Sequence, residues 1–288
     1  MKKRLTVLLG FMFCLVVMIF AQGDTRNAAK VVVFNNLTYG KKDAKVSVSS
    51  VLGTLVDAVA NKQVTEEQGN YQESVRANIV KGLSQARRIT MLDGTGMANA
   101  DWYVDGTISS ISTTTKVEDY KDSKGKTYTK TFYKALVGVT LHVKNASGDN
   151  IILSPTFNVS AEDLAWIETK EGALQNAFEY LSRSVLRYFN RQLPLYANIV
   201  EGAREKKDKQ KEVYIDLGAA TKGLDRNIHF GVYTTKIVAG KEAKKQIGKI
   251  KVSDVQGDDI SLCKVQSGGK DIKAAIDAGE KLLIVSLD

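Results

Sequence analysis

The residues able to do chemistry are few and scattered. Among 288 residues there are only two histidines, His142 and His229, and neither has a Cys or His neighbour at metal-ligand spacing, so no metal site is expected. Asp101 and Asp105 have the chemistry of a general acid and base. They sit, however, at alternating positions of a polar strand face, where solvent is the plainer reading. Glu162 and Asp163 read as a polar turn. Gly125-Lys126-Thr127 is similar to the end of a phosphate loop, but Tyr120 stands where such a loop needs its first glycine, and a hairpin rather than a strand-to-helix turn surrounds it. Asp93-Gly94-Thr95-Gly96 is a glycine turn without the third glycine or the helix of a dinucleotide site. No serine lies in a G-x-S-x-G elbow with a histidine to match, and Asn145-Ala146-Ser147 reads as a hairpin turn. Neither an enzyme nor a cofactor is expected. What remains is binding: Tyr120, Tyr128, Phe132 and Tyr133 border a polar stretch and form a candidate partner-binding cluster for a strand or a glycan. Cross-strand packing within the hairpin is the competing reading.

The elements that must position these side chains are legible in the periodicity. Lys30 to Phe34 (KVVVF) is continuously apolar and β-branched, as in a strand covered on both faces. Val46 to Val59 has partly helical spacing weakened by serine and glycine. Val75, Ile79, Val80, Leu83 and Ala86 predict a helix over Gln72 to Arg88, with Arg87 and Arg88 at its negative end, followed by a short strand at Ile89 to Leu92. In Ala100 to Ser112 (ADWYVDGTISSIS), Trp102, Val104 and Ile108 alternate with Asp101, Asp105, Thr107 and Ser109, which predicts a sheet with one covered face and those three apolar residues buried. Thr113 to Thr131 is polar and reads as a hairpin extending past the domain body. Val137, Val139, Leu141 and Val143 restore the apolar face on the return. Asn150 to Val159 is a further strand, confined to an edge or bulge by Pro155. Thr169 caps a second helix through Leu174, Ala177, Phe178, Leu181, Val185 and Phe189, ending before Pro194.

Two domains are expected: an α+β domain over residues 29–201, a mixed sheet with packed helices, and a small SH3-like all-β barrel over 213–288. The basic segment Gly202 to Glu212 between them reads as a linker. A helical insertion from Asp271 to Ala278 precedes the last strand, Lys281 to Leu287. Residues 1–21 have the three parts of a secretory signal: Lys2, Lys3 and Arg4, the apolar run Leu5 to Phe20, and a cleavage point after Ala21. That run is shorter than a membrane span, and Phe13 before Cys14 does not fit lipoprotein processing. The formal charge of +9 falls to +6 without the three basic signal residues. That excess is modest, and Arg204 to Lys211 interleaves acids and lacks aromatics, so nucleic acid is not an expected partner. Cys263, left alone in the mature chain, is expected to be a buried, inert thiol in a strand.

The order VVVF, Ala86-Arg87-Arg88, ITML, ADWYVDGTISSIS, ALVGVTLHVKN and IILSPTF resembles the CsgG-type curli assembly family, which also includes LpoB-like periplasmic domains. The likeness spans roughly Lys30 to Val200. The C-terminal part is similar to the C-terminal domain of the flagellar assembly protein FlgT, through Ile215, Leu217, Gly218, Gly223, Phe230, Val232, Tyr233, Ile247-Gly248, Ile250, Val252, Val255 and Val265. Asn227 stands where that pattern favours glycine. These resemblances imply a non-enzymatic, periplasmic or outer-membrane-associated protein that assists assembly or secretion by contact with an envelope protein, and they leave a homo-oligomer open. The alternatives are a subunit of an oligomeric CsgG-like export channel and a glycan-processing hydrolase with an unrecognised site. The lipobox cysteine is missing and the hairpin lacks the apolar face of a membrane barrel, so the resemblance carries over no pore and no binding residues.

Overall fold

The computed structural model describes residues 25–40, 64–67, 70–92, 100–239 and 241–287. The expected signal, Cys14, the Val46 to Val59 stretch and the expected turn at Asp93 to Gly96 lie outside the described residues. The fold is α+β, with three α-helices among the described residues, a mixed sheet and a curled antiparallel sheet. Lys30–Gln192 form one compact unit, and the described residues up to Ala29 belong with Leu193 onward to a second. The middle unit is thus inserted into the other along the chain. No helix among the described residues is long and apolar enough to cross a membrane.

The mixed sheet contains β1 (Lys30–Tyr39), β2 (Val64–Glu66), β3 (Ile89–Leu92), β4 (Trp102–Lys121), β5 (Thr127–Lys144), β6 (Ile151–Leu153) and β7 (Thr156–Val159). β1 pairs in parallel with β3 and β4, while β5 runs antiparallel between β4 and the edge pieces β6 and β7. Consecutive Val32, Val33 and Phe34 are all buried, as a strand covered on both faces requires. β1 continues further than KVVVF, past a bulge between Phe34 and Asn36. The segment around Pro155 is two edge strands rather than one: Pro155 supplies no N–H, and its carbonyl instead accepts from Leu141 N at 2.9 Å.

Helices α1 (Gln72–Ser84) and α2 (Lys170–Gln192) pack together on one sheet face. α1 ends before the expected Arg88. Ala86 turns back on Leu83 O at 3.0 Å, Arg88 O accepts from Lys30 N, and Arg87 N donates to Asn190 Oδ1 at 2.9 Å, so these residues enter β3 instead of lengthening the helix. The whole expected stripe of α2 is buried, Phe178 and Phe189 completely, each worth about 1.5–3 kcal/mol on burial. Thr169 Oγ1 accepts from Gly172 N at 3.2 Å at its start. The helices approach closely at Gly82, where an added Cβ would stand 2.5 Å from Ser182 O.

On the helix face of β4, Val104 and Ile108 are buried, but Trp102 is only half-buried. It is the first residue of the strand, opposite Val32 where pairing begins, and so at the margin of the covered face. A bulge after Ile108 pairs Ser110 with Gly138 and Ile111 with Val137. The extra residue, Ser109, puts Ile108 and Ile111 on the same face although they are three apart. Gly138 makes the room, since a Cβ there would lie 2.4 Å from Ser109 Oγ and 3.0 Å from Ser110 Oγ.

The second unit is built on an antiparallel sheet: β8 (Tyr196–Ala197), β9 (Ile199–Lys206), β10 (Lys209–Ile215), β11 (His229–Val238), β12 (Lys241–Val255), β13 (Ser261–Ser267) and β14 (Leu282–Ser286), in the order β8-β14-β11-β12-β13-β10-β9. Its two end strands are consecutive in the chain on either side of Asn198, so the sheet curls back on itself. Asp216 fixes that corner by accepting from Asn198 N and Nδ2, both at 2.6 Å. Helix α3 (Gly269–Asp277) contributes Ile272 and Ala275 to a core that includes Phe230, Val232, Ile250 and Cys263. Asn227 adopts φ +83°, the left-handed conformation that Asn tolerates.

The segment Gly202 to Glu212 is not a linker. It belongs to the β9–β10 hairpin, because Val213 and Ile215 face the core while the charged residues before them occupy the solvated side. Ion pairs Lys273–Glu205 and Lys270–Asp208, both 2.8 Å, tie the hairpin to α3. Its buried Gln210 donates to Glu212 O at 2.6 Å.

Candidate functional site

The polar run after Thr113 becomes an arm. β2 covers β4 only from Ser112 to Thr114, and β5 meets Ile167 at Tyr133. Beyond those points β4 and β5 are a two-stranded ribbon among the described residues, closed at Asp122 to Lys126. Asp122 Oδ1 accepts from Lys124 N and Lys126 N at 2.9 Å, and Gly125 takes φ +77°. The expected start at Thr113 is too early: Thr113 and Thr114 are buried in the body.

Strand alternation divides the four candidate aromatics. Tyr120, Tyr128 and Phe132 share the face turned away from the helices, whereas Tyr133 lies on the other face, opposite Thr115. Tyr120 stacks on Tyr128 with centroids 5.8 Å apart and meets Phe132 at 6.2 Å. Trp166, not one of the four candidate aromatics, joins them. Lys116 lies 5.7 Å from the centroid of Phe132 and 5.2 Å from that of Trp166, Lys134 lies 4.9 Å from Trp166, and Lys130 lies 5.7 Å from Tyr120. Rings and ammonium groups thus alternate along the arm. Two residues on, Glu168 pairs with Lys130 at 2.6 Å, and no local pattern in the sequence marks Trp166.

Two acids complete the ladder. Glu118 is held below the usual carboxylate range, first by the Lys116 ammonium at 2.5 Å and then by the Tyr120 hydroxyl, which donates to it at 2.6 Å. The same bond pushes the Tyr120 phenol up, and Glu168 raises Lys130. Cross-strand packing therefore accounts for most of the cluster. Tyr128, at 42%, and Val117, at 62% on the opposite face, remain exposed.

At the root of the arm stands a residue that no motif marks, Glu67. The side chain of Glu67 is 2% exposed and joins Lys170 at 2.7 Å, accepts from Thr113 Oγ1 at 2.6 Å, and its backbone N donates to Ile111 O at 3.0 Å. Glu67 raises the Lys170 ammonium. This carboxylate fixes the chain after β2 to both the sheet and the start of α2. Its sequence neighbours carry no period that would have marked it.

The other candidates stay apart. Asp101 Oδ2 accepts from Val31 N at 2.8 Å, and Asp105 pairs with Lys144 at 2.8 Å. His142 lies opposite Asp105 in register, and its Nδ1 meets Ser154 Oγ at 2.9 Å. With Asp105 engaged by Lys144 and Ser154 exposed ahead of Pro155, this trio lacks the oriented imidazole and sheltered nucleophile of acyl transfer. Glu162 and Asp163 belong to a 3₁₀ turn (Ala161–Asp163) closed by a capping box with Ser160. His229 is exposed at the start of β11.

No protein-family model matches the chain, and no curated protein does. Among solved structures it is similar to the PelC dodecamer from Paraburkholderia phytofirmans at 11% identity and a TM-score of 0.28, over 58% of this chain and 88% of that one. It is also similar to CT253 from Chlamydia trachomatis, at 12% identity and 0.31, over 57% and 97%. A third is protein XCC0632 from Xanthomonas campestris, at 11% and 0.32, over 58% and 84%. Superposition this slight says nothing of what the chain does.

Proposed function

We propose that this is an exported, non-enzymatic cell-envelope protein of the CsgG type that assists assembly or secretion through protein–protein contact. The β4–β5 arm is its docking element. The curled-sheet unit, read as an SH3-like barrel of the FlgT C-terminal kind, is a second contact module. The observation that carries the reading is the arm: a two-stranded ribbon is marginal by itself, yet this one runs on past the body, stiffened by cross-strand rings and the Lys116–Glu118 ion pair and held at its base by Trp166 and Glu168. Order maintained where no core demands it supports a role in recognition. The export-channel alternative is disfavoured by the same residues, since Lys116, Glu118 and Tyr120 on one face and Val117, Asp119 and Lys121 on the other give neither face the apolar band of a membrane barrel.

Photo-crosslinking residues placed at Tyr128 and at Val117 in intact cells test this. An envelope protein or a second copy of the chain should be captured from the arm, and a crosslinker at exposed Gln175 on α2 should not give the same product. Capture of nothing from either arm position, or fractionation of the mature chain with the cytoplasm, would overturn the proposal.

A further inference from the structure

The outer face of the curled sheet carries a concentration of positive charge that its fold does not use. His229 on β11, Lys251 on β12 and Lys264 on β13 are direct cross-strand neighbours. Lys249 lies two residues from Lys251 on the same face, and Lys244, opposite Thr235, continues it beyond the bulge in β12. Like charges set directly opposite one another, as Lys251 and Lys264 are, destabilise a sheet. None of these four lysines meets a carboxylate among the described residues. Glu212, the register partner of Lys264 on β10, pairs instead with Arg204 at 3.0 Å, and Asp254 pairs with Arg226 at 2.7 Å. At the far end of the face Ile237 is 71% exposed, more than any other large apolar residue described, with Glu242 its register partner.

We infer that this face docks on an anionic lipid bilayer. The charges are ammonium groups spread over adjacent strands, without the guanidinium fork that suits paired carboxylates. Such an array needs no register in its partner, and a surface of anionic headgroups offers none. An exposed isoleucine at the end of the array can enter the headgroup boundary, which an acidic protein segment would not reward. This inference does not rest on the arm, so its failure would leave the reading of the arm standing.

The test is cosedimentation of the whole mature chain with vesicles of phosphatidylcholine alone, or with about a quarter of phosphatidylglycerol. Binding is expected only to the anionic vesicles, weakening as salt rises from about 0.1 M to above about 0.5 M. At the usual contribution of a basic residue near such a surface, Lys249→Gln, Lys251→Gln and Lys264→Gln together should lower partitioning roughly a hundredfold. Removing equal charge at Lys81, Lys206 and Lys207 should change it less than about threefold. Circular dichroism checks that the triple variant folds; if it does not, Lys251→Gln alone with the salt series decides. Equal binding to neutral vesicles, equal loss in the control variant, or tight binding of a polyglutamate peptide without vesicle binding would each overturn the inference, the last in favour of an acidic protein partner.

Discussion

Cys263 shows how burial alone sets the chemistry of a side chain. Fully enclosed in β13, its thiol is pushed up from 9.0 to about 12 by desolvation, so it is neither a nucleophile nor a metal ligand near neutral pH. The sign of the linkage follows. The folded state holds the thiol neutral, while the unfolded chain ionises near its ordinary value. The contribution of the neutral thiol is therefore whole below about pH 9 and is lost as pH climbs toward about 12, at most about 4 kcal/mol over that window. Lysines and tyrosines titrate there too, so the measurement is a difference. The urea midpoint of wild type should exceed that of Cys263→Ala at pH 8, and the gap should shrink or invert by pH 11. A gap constant across that range would mean the thiol is not desolvated. The position of Cys263 was legible because its neighbours alternate. Glu67 was not: a buried carboxylate depends on partners 46 and 103 residues away, Thr113 and Lys170, which no local pattern encodes.

At the scale of elements, periodicity predicted the arm, both long helices and the covered face of β4, because each rests on a repeat of two or about 3.6 residues. It failed where the chain departs from a repeat. The bulge at Ser109 changes the face of every later residue of β4, and only the pairing with Gly138 reveals it. Likewise, the four candidate aromatics are close in sequence, but Tyr133 differs from Phe132 by one step of alternation and so faces away. The ladder that does form should govern the stiffness of the arm. Tyr120→Ser removes two ring contacts, the hydrogen bond to Glu118 and the ring beneath Lys130. With aromatic pairs worth about 0.5–1.5 kcal/mol, hydrogen exchange in Thr115 to Lys121 and Thr127 to Phe132 should quicken about two- to tenfold, while Val137 to Val143 keep their protection. Unchanged exchange in the arm would mean that the ladder adds nothing to its order.

The organisation of the whole molecule was the least legible, because charge density imitates a linker. Arg204, Lys206, Lys207, Lys209 and Lys211 look like a solvated connection between domains. Yet they flank one hairpin turn whose charges blunt the outer edge of a sheet. The true division falls at Ala29/Lys30 and Gln192/Leu193, and the chain crosses it twice. The first crossing is marked by a single residue: Asn27 donates to Tyr196 O at 2.7 Å and accepts from Tyr196 N at 2.8 Å, extending the edge at β8 with a side-chain amide. Trypsin distinguishes a linker from a hairpin. A linker with five basic residues is cut within minutes, whereas cleavage inside β9–β10 must first break the pairing of Arg204 with Glu212 and of Lys206 with Lys209, and the ion pairs to α3. Local opening of a paired, ion-bridged hairpin is the rate-limiting event in that case. Native digestion followed by mass spectrometry should therefore find fragments ending between Arg204 and Lys211 only late, and Lys270→Ala with Lys273→Ala should bring them forward. Prompt cutting of the wild type throughout this stretch would restore the linker and remove β9 from the sheet.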